Sequence, residues 1–271
     1  MTVTEAIRYT KLQLEPVCDE ESLQQAKILV GDVLGVDENV LSLHGQMEMT
    51  REQLSALAAY IARRERREPL QYIIGQWSFM GLPFLTDARA LIPRQDTETL
   101  VETALSLVKD KGYLTALDLC CGSGCIGISL AKRSTLTVTC ADVSEDCVAL
   151  TRENAALNEV DVTTVCCNLF DGIRDSYDMI LCNPPYLTSA ELRDAQPELA
   201  FEPAMALDGG TDGLAFYRRI ADQYARHLNP GGTLLLEIGA TQADAILRLF
   251  RHAAIYNDVC GNPRVAAVAR L

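Results

Sequence analysis

From residue 96 onward, short apolar runs alternate with segments of helical period, and this alternation constrains the fold more than any other feature of the chain. Helical spacing over 96–109, 124–133 and 145–157 is interleaved with strand-like runs at 114–119, 136–141, 163–167 and 178–182. Beyond them the pattern predicts a helix at 212–228, a strand at 232–238 opened by Pro230-Gly231-Gly232, and a helix at 241–251. Two closing strands follow near 255–259 and 264–270. Strands separated by helices pair in parallel, because each crossover helix returns the chain to the end from which it left. Seven such strands predict a doubly wound, mostly parallel α/β sheet.

The first part of the chain has a different period. Glu21 to Val33 carries an apolar helical pattern, and Thr50-Arg51-Glu52-Gln53 is a capping box that starts another helix, with Leu54, Leu57, Ala58 and Ile61 on its apolar face. Arg63, Arg64, Arg66 and Arg67 fall at the end of that helix, where cations meet the negative pole of the dipole; the simplest expectation is a solvated terminus, the alternative a contact for an acidic partner. Aromatics and glycines then alternate with apolar residues (Tyr72, Gly75, Trp77, Phe79, Gly81, Phe84), which predicts a hairpin-like connector. The expected division is a small all-α domain at 1–74, a β-hairpin linker at 75–93, and the α/β domain at 94–271.

With 48% hydrophobic and 23% charged residues the chain has the balance of a globular protein. A net charge of -13 disfavours direct nucleic-acid binding, which needs clustered cations to displace counterions; a protein or small molecule is the better partner. Ten cysteines without a secretory segment imply reduced thiols and a cytoplasmic location. Cys120, Cys121 and Cys125 lack the CxxC spacing of a zinc site, so no metal is expected, and no apolar run suits a membrane span.

The strand at 114–119 runs into Cys120-Cys121-Gly122-Ser123-Gly124-Cys125 and a helix, placing a glycine turn at the carboxyl end of the first strand, where sheets of this class bind ligands. Gly122 and Gly124 permit close backbone approach. Asp142 ends the second strand about 20 residues on, where a carboxylate can accept two ribose hydroxyls. The turn lacks a full GxGxxG, and the negative charge of Asp118 before it suits an amino or sulfonium cation better than a phosphate. S-adenosylmethionine carries both cations. Asn168, Leu169 and Phe170 end the next strand, where Asn168 can meet an adenine edge and Leu169 or Phe170 can lie against the base, the alternative for the last two being buried strand-end hydrophobes.

Asn183-Pro184-Pro185-Tyr186 follows the apolar run Met179 to Cys182. Two prolines remove two N–H donors, so a strand end with one amide side chain and a rigid carbonyl is rich in acceptors. Such a clamp suits a planar NH2 group, with Tyr186 as a flat wall.

Together, Asp118 to Gly124, Asp142 and Asn183 to Tyr186 resemble the class I S-adenosylmethionine-dependent methyltransferases that act on planar nitrogens. The segments Glu68 to Ile73, Ile92-Pro93-Arg94-Gln95-Asp96-Thr97-Glu98, Phe201-Glu202-Pro203, Leu207 to Leu214 and Gly261-Asn262-Pro263-Arg264-Val265 resemble the release factor glutamine methyltransferases, the HemK/PrmC family. That resemblance implies a helical domain that helps grip peptide chain release factors and a catalytic domain that methylates the glutamine N5 of their Gly-Gly-Gln motif, supporting translation termination and leaving S-adenosyl-L-homocysteine; a monomer is the expected state. Asn183 and the Pro184 carbonyl would each accept one N–H of the amide, aiming its lone pair at the methyl group, with Pro185 and Tyr186 completing the substrate site. Cofactor contacts are expected from Asp118, Cys120, Cys121, Gly122, Ser123, Gly124, Asp142, Asn168, Leu169 and Asn183. Cys120 stands where the family has glycine, and Asn168 where an aspartate is usual. The enzyme rival is a nucleic-acid adenine N6 methyltransferase, since the same acceptors suit an exocyclic amine on a flipped base.

Overall fold

The computed structural model describes residues 1–270, in two compact units: Met1–Gly75 with Pro197–Phe201, and Gln76–Gln196 with the chain from Glu202 onward. The first unit is helical, with α1 (Val3–Cys18), α2 (Ser22–Leu34), α3 (Arg51–Glu65) and the short α4 (Leu70–Ile74). Thr2 and Thr50 start α1 and α3 with complete capping boxes, the second of them at the predicted position. Helices α1, α2 and α3 pack together and bury Leu14, Leu29, Leu57 and Ile61.

The arginine run at the end of α3 departs from expectation. Arg64 is buried, donating from Nε to Gln25 Oε1 and from Nη2 to Glu198 Oε1, both at 2.9 Å. Arg67 donates to Glu198 Oε2 at 3.0 Å and to the Val17 carbonyl, and Arg63 pairs with Glu68 at 2.6 Å. Instead of a solvated terminus, three of the four guanidinium groups are structural cations. Their central partner, Glu198, lies 134 positions after Arg64, beyond the reach of local sequence spacing.

The second unit opens with a hairpin, β1 (Gln76–Phe79) and β2 (Leu82–Leu85). Met80 and Gly81 form its tight turn at φ 51° and 71°, the left-handed pair that matches strand twist. Phe79 and Phe84 meet edge-on at 6.1 Å between ring centres and sink into the α/β core. There follow α5 (Gln95–Lys111), β3 (Thr115–Leu119), α6 (Cys125–Arg133), β4 (Thr137–Asp142), α7 (Glu145–Leu157), β5 (Thr163–Cys166) and β6 (Tyr177–Cys182). The remainder comprises α8 (Ser189–Arg193), α9 (Ala215–Gln223), β7 (Leu228–Glu237), α10 (Ala243–Leu249), β8 (Ala254–Asn257) and β9 (Pro263–Ala269).

The seven-stranded sheet has the order β5-β4-β3-β6-β7-β9-β8, with β9 antiparallel to both its neighbours and the other pairs parallel. Ala116 enters one core cluster and Leu117 and Leu119 the other, as alternation along a doubly covered strand demands. Two boundaries differ from the sequence pattern. Pro230-Gly231-Gly232 lies inside β7, where Gly231 at φ 79° accompanies a register shift against Tyr177 and Met179, rather than opening the strand. Helix α9 stops at Gln223, and Tyr224–Arg226 tighten into a 3-10 turn.

From β3 the chain runs outward to β5 and then crosses back to β6 on the other side of β3. This reversal leaves a crevice at the carboxyl ends of β3 and β6, where sheets of this kind bind ligands.

Candidate active site

Leu119 and Cys182 are register partners, so the turn after β3 and the tetrapeptide after β6 begin side by side. The first turn is held by two carboxylates. Asp118 is fully buried; its Oδ2 accepts the Gly127 N–H at 2.9 Å, and its Oδ1 has no partner among the described residues. Burial raises its pKa to about 7, the Gly127 N–H opposes this and the nearby Asp142 charge adds to it. Asp142 accepts Gly122 N–H on Oδ2 and Ser144 N–H on Oδ1, each at 2.9 Å. The helix cap is Ser144, which accepts from Cys147 N–H, so Asp142 serves the glycine turn.

A cavity of about 370 Å3 opens over this turn. Its wall contains Cys120, Cys121, Gly122, Ser123, Asp142, Asn168 and Leu169 on one side and Asn183 and Pro185 on the other. Asp118, Gly124, Pro184 and Tyr186 stand outside the wall. Gly124 faces α7: a Cβ there would lie 2.7 Å from Thr151 Cγ2, so its glycine serves packing. Cys120 and Leu169 adopt left-handed backbone at φ 56° and 54°, unusual for side chains of their size. Asn168 Oδ1 accepts from Arg219 Nη2 at 2.7 Å. Both arginines of the wall are paired, Arg89 with Asp87 and Glu153 and Arg94 with Glu202. A lining with a carboxylate at its edge, a second carboxylate oxygen unpartnered beneath it and its arginines neutralised fits a cationic nucleoside rather than a phosphate.

On the opposite side, Pro184 and Pro185 are buried and Asn183 is half-buried. Asn183 Nδ2 donates to Thr97 Oγ1 at 3.3 Å. The Tyr186 hydroxyl donates to Glu237 Oε1 at 3.5 Å, and its carbonyl accepts from Gln242 Nε2 at 3.0 Å. Burial pushes Tyr186 up to about 12, and the charge of Glu237 pushes it the same way. Residues 207–214 brace the tetrapeptide from outside. Leu187 N–H donates to the Leu207 carbonyl at 3.0 Å, Gly209 N–H to the Leu187 carbonyl at 2.8 Å, and a Cβ on Gly209 would meet Tyr186 Cα at 2.7 Å.

The segment at 92–98 ties the other pieces together, at positions for which sequence reasoning assigned no role. Ile92 N–H and Arg94 both bind Glu202; Asp96 pairs with Arg264 at 2.9 Å; Thr97 receives Asn183; Glu98 Oε1 accepts Met80 N–H at 2.6 Å. The signal was present in that Thr97, Glu202 and Arg264 all fall in segments carrying the family resemblance. Glu237 and Gln242 had only a charge at the end of an apolar run to mark them.

Residues 96–210 match the model of the methyltransferase small domain, and residues 5–75 match the PrmC N-terminal domain. A release factor glutamine methyltransferase of Geobacter sulfurreducens is 38% identical over 92% of this chain and 88% of its own length. One from Koribacter versatilis is 34% identical over 98% of this chain and 97% of its own. The chain belongs to the release factor glutamine methyltransferase family. The family's N-terminal model coincides with the helical unit, and the methyltransferase model runs from the first turn of α5 through both strand-end turns. Solved structures share the fold at low identity. A methyltransferase from Pyrococcus furiosus aligns with TM-score 0.52 at 17% identity, covering 81% of this chain and 98% of that one. A T. thermophilus 16S rRNA N2 G1207 methyltransferase, in complex with AdoMet and guanosine, aligns with TM-score 0.53 at 14% identity over 72% of this chain and 50% of its own.

Proposed function

We propose that this protein methylates the side-chain amide nitrogen of the glutamine in the Gly-Gly-Gln motif of peptide chain release factors, with S-adenosylmethionine as donor. The observation that carries this reading is that one cavity has both the glycine turn with Asp142 and Asn183, the side-chain acceptor of the clamp, in its wall. When bound, S-adenosylmethionine supplies an electrophilic methyl group on a sulfonium sulfur. Asp142 and the backbone of Cys121 to Ser123 would hold its ribose side, Asn168 and Leu169 its base, and the Asp118 carboxylate its positive charge. The assigned substrate roles rest on Asn183 Oδ1 and the Pro184 carbonyl, which would accept the two N–H groups of the glutamine amide. An amide nitrogen is a poor nucleophile because its lone pair is delocalised. Acceptors that grip both protons favour the pyramidal nitrogen and stabilise the positive charge that develops on it.

The adenine rival needs a basic face for the polynucleotide backbone. Arg63, Arg64 and Arg67 are consumed by Glu68 and Glu198, which speaks against that reading. A competition assay with isotopically labelled S-adenosylmethionine, offering release factor, DNA and ribosomal RNA together, tests the choice. Label in the release factor alone is expected; label confined to nucleic acid would replace the reading with its rival.

A further inference from the structure

Asn183 can accept an N–H only with its Oδ1, not its Nδ2, toward the cavity, and a primary amide offers both ends. Nothing in the tetrapeptide itself makes the choice; the residues behind it do. Asn183 Nδ2 lies 3.3 Å from Thr97 Oγ1, and Thr97 is 2% exposed in the first turn of α5. A hydroxyl that accepts from Asn183 must direct its own proton elsewhere. The carboxylate beside it is Glu237, 1% exposed at the carboxyl end of β7; no hydrogen bond joins the two side chains in this structure, and the hydroxyl is near enough to draw the Glu237 pKa down. Glu237 Oε1 receives the Tyr186 hydroxyl at 3.5 Å, while Oε2 has no partner among the described residues. Neither Thr97 nor Glu237 touches the reacting atoms of the methyl transfer.

We propose that Thr97 and Glu237 are positioning residues: a relay from Asn183 Nδ2–H to Thr97 Oγ1–H to the Glu237 carboxylate locks the Asn183 amide with its oxygen toward the acceptor nitrogen. This rests on the functional reading above. The relay has a second state. Burial raises the Glu237 pKa to about 7, against the pull of the Thr97 hydroxyl, Arg264 and the Tyr186 hydroxyl, with the Asp96 charge assisting the rise. Cys125 and Tyr217 also face it, neither of them ionised at neutral pH because burial pushes both upward. A protonated Glu237 donates to Thr97, whose own proton then turns toward Asn183 and pairs with Oδ1. The amide is turned over, and the cavity is offered N–H groups where the substrate also presents N–H. Activity therefore falls on the acid side as the relay reverses.

Thr97→Val removes the acceptor at constant shape and is expected to lower kcat about 10- to 100-fold, with the KM for S-adenosylmethionine within about 3-fold of wild type. Thr97→Ser should restore kcat to within about 3-fold. In wild type kcat rises across roughly pH 6 to 8, whereas Glu237→Gln, which keeps an N–H donor toward Thr97, has a low kcat without that rise. Wild-type kcat in Thr97→Val, failure of the serine to rescue, or an unchanged acid limb in Glu237→Gln would overturn the assignment. A measurement without substrate separates this inference from the functional reading. By NMR, the side-chain NH2 resonances of Asn183, identified by their loss in Asn183→Asp, should titrate near pH 7 in wild type and stay fixed in Glu237→Gln. Resonances that ignore pH in both proteins would refute the relay whatever the substrate proves to be.

Discussion

The turns after β3 and β6 begin on neighbouring residues yet are built from opposite materials. The Cys120–Gly124 turn presents backbone N–H groups that are largely taken up, Cys121 by the Ala141 carbonyl, Gly124 by the Cys121 carbonyl and Gly122 by Asp142, while Asp118 holds Gly127 N–H just inside α6. The Asn183–Tyr186 turn has two prolines, offers carbonyls, and is held by groups that donate to it or press against it, Gln242 and Gly209. A turn fastened by carboxylates leaves negative charge beneath the cavity, which suits a cationic nucleoside. An acceptor-rich turn leaves unpaired oxygens, which suit an NH2 group. The sheet brings the two together because they end adjacent parallel strands at the point where strand order reverses.

If the two turns divide the work in this way, changes on the β6 side should strike turnover and changes on the β3 side should strike cofactor binding and stability. The largest effect is expected from Asn183→Ala, which should lower kcat at least about a thousand-fold while the cofactor Kd, followed by calorimetry, moves only a few-fold. Retained turnover would break the comparison on its substrate side.

Next in size is the pH dependence set by Asp118. Its folded pKa of about 7 lies above the 3.8 of a free aspartate, so folding takes up a proton between those values. Its contribution to stability is complete below about pH 4 and is lost as pH rises through 7, a change of a few kcal/mol for the cofactor-free protein. Denaturant titrations from pH 4 to 8 should show this decline, with a shallower slope in Asp118→Asn; equal slopes would show that the buried acid does not titrate there. Smaller again, Gly209→Ala puts a methyl group 2.7 to 2.9 Å from the backbone of Pro185 and Tyr186. It should cost about 2 kcal/mol and reduce kcat more than cofactor affinity.

The smallest effect sharpens the comparison from the other side. Cys120 adopts φ 56° in a position where the family has glycine. Cys120→Gly should relieve the strain and raise stability by about 0.5–1 kcal/mol in thermal unfolding, with turnover preserved. A loss of stability would mean that the cysteine side chain, which packs toward Cys182, is worth more than the strain.

What the sequence disclosed and what it hid follow from the range of the interactions. The seven strands, the capping box at Thr50 and the glycine turn are local patterns, legible because period and turn chemistry are set within a few residues. The hairpin was visible from its aromatic alternation, though its tight turn at Met80-Gly81 carries no Asn-Gly signature. Thr97, Glu202, Glu237 and Arg264 escaped because each acts on a residue far away along the chain; Asn183 is 86 positions from Thr97 and Arg94 is 108 from Glu202. Arg64 and Arg67 at the end of α3 are hidden for the same reason, their shared carboxylate arriving on a distant 3-10 turn at Pro197–Phe201.

The central claim is that the acceptor-rich turn clamps one glutamine amide over a methyl donor. Tandem mass spectrometry of a full-length release factor, incubated with this protein and S-adenosylmethionine, tests it most directly. One added methyl group on the side-chain nitrogen of the Gly-Gly-Gln glutamine, absent with Asn183→Ala, is the predicted result. A methyl group on any other residue, or a release factor left unmodified while a nucleic acid in the same mixture is methylated, would contradict it.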